Sequence, residues 1–303
     1  MSLRLCVAGD GAWGKALAHV ARTAGNDVTV WSRRNPDRLS LQDADAVILA
    51  VPAQAVRDAL LALHLDAGAS VIIAAKGIER GSTLLMADVV REIVADARPL
   101  VLSGPSFARD VMAGLPTAVT LAADDLQTAA TWAKVLSLPT FRIYQSDDLL
   151  GVELGGSLKN VLAIACGISD GRGFGQSARA ALITRGFAEL VRLSRKLGAK
   201  SETLMGLSGL GDLLLTCGSP QSRNYGFGLA IGQGESVAEA LVHAMGVVEG
   251  ATTAVVAAAL ARRHGIDMPI IDAVHAIVDG GADPSAVINA LLARPALSEF
   301  SKE

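Results

Sequence analysis

The chain has 303 residues, 51% hydrophobic and 19% charged, with a formal net charge of −3. At roughly 150 residues per domain the length predicts two domains, and the composition excludes an intrinsically disordered chain. The slightly acidic balance offers no basic footprint for nucleic acid and no polybasic membrane patch, so local groups must hold any bound anion.

Cys6, Cys166 and Cys217 are widely spaced without a CxxC pair, as expected of small core residues in a reducing compartment. His19, His64, His243, His264 and His275 have no metal-ligand spacing, and no metal site is expected. No uninterrupted apolar run reaches the roughly 18 residues of a membrane span. Strand-like 3–8 begins almost at Met1, leaving no room for a signal peptide. The expectation is a cytoplasmic chain without membrane insertion.

In chain order, apolar, β-branched runs at 3–8, 28–31, 47–51, 70–74, 100–102, 117–121 and 141–144 alternate with helical stretches. Near-continuous apolarity suits strands covered on both faces. The pattern predicts an α/β Rossmann domain over 1–145, with a mostly parallel doubly wound sheet. After Ser146 the strand signal stops. Leu154, Leu158, Val161, Leu162 and Ala165 recur at helical spacing, predicting an all-α domain over 146–303.

Gly9-Asp10-Gly11-Ala12-Trp13-Gly14 follows the first strand and opens a helix. In that setting it reads as a dinucleotide fingerprint: Gly9 for the tight turn, Gly11 for approach to a pyrophosphate, Gly14 for close helix–sheet packing. The second strand ends Trp31-Ser32-Arg33-Arg34, without the carboxylate that binds a ribose 2′-hydroxyl. Arg33 and Arg34 suit a 2′-phosphate, so NADP(H) is the preferred cofactor and NAD(H) an admissible one; two solvated arginines are the plainer alternative. Pro52, Lys76 and the run Ser103-Gly104-Pro105-Ser106-Phe107-Ala108 follow later strands, on the rim where open α/β sheets bind ligands.

In the second half, Gly155, Lys159, Ala163 and Cys166 share one helical stripe, and Gly155-Gly156 weaken what reads as a helix start. Lys159 is either a snorkelling lysine or a desolvated proton donor for a carbonyl; beside the fingerprint, the donor reading is preferred. Asp212 reads as a helix N-cap. Ser222-Arg223-Asn224 could clamp a phosphate or simply be a polar loop.

The ordered motifs GDGAWGKALA, AAKGIE, SGPSFA, ELGGSLKNVLAI, LITRG, LSGLGDLLLTC, SRN and VVEG span nearly the whole chain. Together they resemble the bacterial NAD(P)-dependent glycerol-3-phosphate dehydrogenases. The resemblance implies reversible NAD(P)H-dependent reduction of dihydroxyacetone phosphate to sn-glycerol 3-phosphate for glycerophospholipid synthesis. It implies Lys159 as proton donor or acceptor, positioned by Asp212. Lys76, Gly104, Ser106, Ser222, Arg223 and Asn224 would contact the triose phosphate. Gly9, Gly11, Ala12, Trp13, Gly14, Arg33, Arg34, Lys76, Ala108, Arg223 and Glu249 would contact the cofactor. The expected partner is this small phosphorylated triose; a homodimer is left open.

The chain departs from the family pattern in two places. Only thirteen positions separate Arg34 from Val47, so a helix and a short strand look lost or shortened. Ser177 and Arg179 stand where the family usually has asparagine and lysine, and family contacts are not carried over to them. Competing readings are a ketopantoate-reductase-like or other Rossmann-plus-helical dehydrogenase, and a non-catalytic NADPH-binding regulator. The β-hydroxyacid dehydrogenase pattern GGxxGxxxKxxxN fails, because Asn160 directly follows Lys159 and Ala163 lies four after it.

Overall fold

The computed structural model describes residues 2–34, 44–244 and 246–295. Its amino-terminal half is built on β1 (Arg4–Ala8), β2 (Asp27–Trp31), β3 (Ala46–Leu49), β4 (Ser70–Ile73), β5 (Arg98–Ser103), β6 (Thr117–Ala122) and β7 (Phe141–Ser146). These form one sheet in the order β2-β1-β3-β4-β5-β6-β7. Each expected strand is present, and the sheet is mostly parallel as expected. Period-two alternation explains the continuous apolar runs: Leu5, Val7, Ile48 and Ile72 enter the core on one face, while Cys6, Ala8, Val47, Leu49, Val71 and Ile73 enter the other. Helices α1 (Ala12–Thr23), α2 (Val56–Leu63), α3 (Met86–Ile93), α4 (Ala108–Met112) and α5 (Leu126–Leu136) connect the strands.

Among the described strands only β5 and β6 pair antiparallel. The α4 between them has five residues, about 7.5 Å of helix, too short to carry the chain back along a strand for a parallel return. At the other margin β2 is the edge strand among the described residues. The doubly wound order of six parallel strands would place another strand beside it. Residues 35–43, where the chain departs from the family pattern, lie outside the described residues.

From Leu149 onward the described chain is helical: α6 (Leu149–Gly171), α7 (Gly175–Leu197), α8 (Ser201–Leu204), α9 (Asp212–Cys217), α10 (Arg223–Gly232), α11 (Val237–His243), α12 (Glu249–His264), α13 (Pro269–Val278) and α14 (Pro284–Leu292). A π-helical turn, Leu207–Gly211, leads into α9. α6 is the axis of this half. It is long and apolar enough to cross a membrane, yet 89% of its most apolar window is buried inside the protein, so it is a core helix. Asp148 caps it by accepting from Gly151 N at 3.0 Å, and also accepts from Lys200 N at 2.9 Å. Leu149 and Val152 enter a core of the sheet domain, whereas Leu154, Leu158 and Val161 enter the helical core, so one helix serves both.

The helix start expected near Gly155-Gly156 is corrected: both glycines lie inside α6, which begins at Leu149. Their smallness serves contact rather than fraying. A Cβ at Gly155 would stand 2.9 Å from Ser208 O, and one at Gly156 would strike Ser103 Oγ. Further along α6, a Cβ at Gly167 would strike Tyr225 O, and one at Gly228 of α10 would strike Ile164 O. The two backbones therefore touch, fixing α10 against the helix that carries Lys159. We expect Gly228→Ala to force them apart and cost about 1–3 kcal/mol, the usual cost of overpacking a tight core. A lowered urea midpoint would register this; an unchanged midpoint would show that the contact is not tight.

Candidate active site

The carboxyl ends of β1, β3, β4 and β5 converge on one rim. Gly9 leaves β1 with φ +130°, a conformation available to glycine, and a Cβ there would lie 2.6 Å from Ala50 O beyond β3. Gly14 packs against Gly9 O closely enough to admit no Cβ, whereas the space over Gly11 is open to at least 4 Å. Gly11 is also the N-cap of α1 and makes no side-chain cap bond. The first N–H groups of α1 thus lack a side-chain acceptor, and with the open space this fits a pyrophosphate. Ala12 is exposed at the mouth of the turn. Trp13 packs half-buried on the sheet core, its indole N–H without a hydrogen-bond partner among the described residues. Arg33 and Arg34 are exposed just beyond β2.

Lys76 follows β4, and Ser157 Oγ of α6 donates to the neighbouring Gly77 O at 3.3 Å. Lys76 Nζ donates to Asp212 Oδ2 at 2.7 Å and to Gly104 O at 3.3 Å. The other oxygen of Asp212 accepts from Lys159 Nζ at 2.5 Å. Asp212 is thus no N-cap: it is the first residue of α9 with its carboxylate turned inward, 1% exposed, between two ammonium groups. Nor does Lys159 snorkel to water, being 6% exposed. Burial pulls its pKa down to about 8, with Lys76 adding to the fall and Asp212 opposing it. Burial presses the Asp212 carboxyl upward, but Lys159 and Lys76 overcome it and hold the group below its ordinary range.

Thr216 is a contact that motif reading missed. It lies one turn after Asp212, accepts from Lys159 Nζ at 2.6 Å, and donates to Asp212 O at 2.6 Å. An ammonium has three donors; Asp212 and Thr216 engage two of them. The i, i+4 spacing in Asp212–Leu–Leu–Leu–Thr216 was the available signal.

The remaining candidates divide. Gly104 is buried at φ +149°, with Val119 Cα 2.8 Å from where a Cβ would stand. Ser106 Oγ donates to Gly104 O at 3.1 Å, and Ala108 opens α4 beside it. Ser222 caps α10, accepting from Tyr225 N at 3.2 Å, and Asn224 Oδ1 accepts from Gly250 N at 2.9 Å. Both side chains therefore hold structure, while Arg223 between them is exposed. Glu249 opens α12 and accepts from Ala53 N, beyond β3, at 3.1 Å; burial raises its pKa, against the pull of Arg223, Lys76 and Lys159. Those three cations outnumber Glu249 and Asp212 around the crevice, a local positive excess in a chain of net charge −3. Arg179 does not point to this crevice; it pairs with Asp170 at 2.6 Å.

Family models for the NAD-dependent glycerol-3-phosphate dehydrogenase C-terminus and N-terminus match residues 148–289 and 37–129. The glycerol-3-phosphate dehydrogenase [NAD(P)+] of Parvibaculum lavamentivorans is 47% identical over 326 residues, covering 98% of each chain. That aligned span exceeds the 303 residues here, in keeping with a shortened segment. A solved glycerol-3-phosphate dehydrogenase from Coxiella burnetii superposes with a TM-score of 0.91 at 38% identity, covering 97% of this chain and 99% of its own. A ketopantoate reductase from Ralstonia eutropha, at 16% identity and TM-score 0.57 over 95% of this chain and 99% of its own, shares the fold alone. With both halves matched by the paired models, and relatives aligned nearly end to end, the chain belongs to the NAD-dependent glycerol-3-phosphate dehydrogenase family.

Proposed function

We propose that this protein catalyses the reversible NAD(P)H-dependent reduction of dihydroxyacetone phosphate to sn-glycerol 3-phosphate, with Lys159 as the proton donor and acceptor. The observation that carries the reading is the buried Asp212 carboxylate bridging Lys159 and Lys76 at the carboxyl rim of the sheet. The cofactor supplies the hydride in the reductive direction and takes it up in the other. Everything else falls to the chain's own residues.

The third donor of Lys159, beyond those engaged by Asp212 and Thr216, is the one available to a substrate carbonyl oxygen. As negative charge develops on that oxygen, the ammonium stabilises it and then delivers its proton. Asp212 keeps the amine oriented and holds Lys76 within the same charge cluster. A pKa near 8 suits both directions, because donor and acceptor forms are both populated close to neutrality. The substrate phosphate would be held by Arg223 at the amino-terminal end of α10, where helix polarity also favours an anion.

NADP(H) is the preferred cofactor in this reading, on the strength of Arg33 and Arg34 after β2. A cytoplasmic location and supply of glycerophospholipid synthesis follow from family likeness; three buried free thiols support a reducing compartment.

Two outcomes are expected. Lys159→Ala lowers kcat by about 10²–10⁴-fold, the worth of a positioned acid–base group. NADPH affinity by fluorescence titration should stay within about threefold; near-normal turnover would remove Lys159 from its role. Separately, the paired change Arg33→Ala, Arg34→Ala is expected to weaken NADPH binding about tenfold or more while leaving NADH nearly unchanged, since a charge-assisted contact to phosphate is worth that much. Equal loss for both cofactors would refute the 2′-phosphate assignment.

A further inference from the structure

Arg179, one of the positions where the chain departs from the family pattern, lays its guanidinium on Asp170 at 2.6 Å. The same carboxylate oxygen accepts from Tyr225 Oη at 2.6 Å. Asp170 is in the last turn of α6, Arg179 in the second turn of α7, and Tyr225 in the first turn of α10. One oxygen therefore ties three helices together. Tyr225 is 7% exposed, its backbone oxygen lies against Gly167, and its N–H bonds to the Ser222 cap. It is two residues from Arg223, whose exposed side chain has no such tether among the described residues: the guanidinium lies alongside the Gly246 backbone, where a Cβ would stand 3.1 Å from Nη1. The place of the Arg223 backbone is thus set from within α10, by the phenol and the cap.

We infer that Tyr225, with Asp170 fixed by Arg179, is a positioning residue that aims the amino-terminal turn of α10, and with it Arg223, at the substrate phosphate. This rests on Arg223 being the phosphate contact proposed above. A phenol donating to a carboxylate that an arginine also holds is a charge-assisted pair, directional and well seated. Burial and the Asp170 bond raise the Tyr225 pKa, so the phenol remains a donor across the working range of pH. Lys159, Asp212 and Thr216 lie outside this strut, so it governs binding of the phosphate and leaves proton transfer alone.

The test is Tyr225→Phe, which keeps the ring and deletes the bond. The expected result is a KM for dihydroxyacetone phosphate raised about five- to tenfold with kcat within about twofold, the signature of lost uniform binding. Calorimetric titration of glycerol 3-phosphate should weaken by the same factor, and because it needs no turnover it decides the strut even if the proposed reaction fails. Arg179→Met, on a more exposed helix face, should move the same constants in the same direction but less, with Arg179→Lys restoring them in part. Should Tyr225→Phe fail to fold, Arg179→Met carries the test alone. Ligand affinity within twofold of the unsubstituted protein in every folded variant, or a fall confined to kcat, would overturn the inference.

Discussion

A carboxylate removed from water must find compensation, and Asp212 finds it in two ammonium groups that reach it from different halves of the chain. Lys76 comes from the end of β4 and Lys159 from the middle of α6. The Lys76 contact joins the sheet domain to the helical one, while the Lys159 contact lies within the helical half, so the buried carboxylate ties the two together across their junction. Ser157 to Gly77 O and Glu249 to Ala53 N cross the same junction.

The arrangement depends on how closely backbones can approach. Where α6 meets α10 and the turn before α9, glycine removes the side chain that would keep them apart. Lys159 therefore projects from a helix surrounded by protein, and desolvation follows from the packing. The same burial that costs energy lowers the pKa toward the range in which an amine can both give and take a proton. Close packing and the lowered Lys159 pKa share one cause here.

Much of this was legible in the sequence because it is written in local pattern. Apolar and β-branched runs, several of them nearly continuous, marked the described strands of the sheet, and the spacing Gly9, Gly11, Gly14 marked the turn after β1, where the space over Gly11 is open. Lys159 stands out in the sequence because a stripe of small residues lets something come close to its ammonium, in a chain that also carries a dinucleotide fingerprint. What escaped was the partner's orientation. A residue opening a helix reads equally well as a cap, and only tertiary packing turns the Asp212 carboxylate inward. Thr216 had only its i, i+4 spacing from Asp212 to announce it, while Ala53 N donating to Glu249, and Ile270 N and Ile271 N donating to the buried Glu189, join positions distant in sequence with no periodicity between them. The antiparallel β6 was hidden for a similar reason: strand direction is decided by the length of α4, and hydropathy does not record direction. Ser222 and Asn224 show the converse, a motif whose side chains are committed to capping and helix contact.

The proposed chemistry requires Lys159 to be an acid–base group of lowered pKa held by Asp212, and the pH dependence of kcat/KM in both directions reads that group out. Reduction needs the ammonium, so its rate constant should be at its plateau below about pH 8 and fall above it. Oxidation needs the free amine and should rise through the same midpoint. Profiles flat across that range, or with a midpoint at the ordinary lysine value of about 10.4, would contradict it.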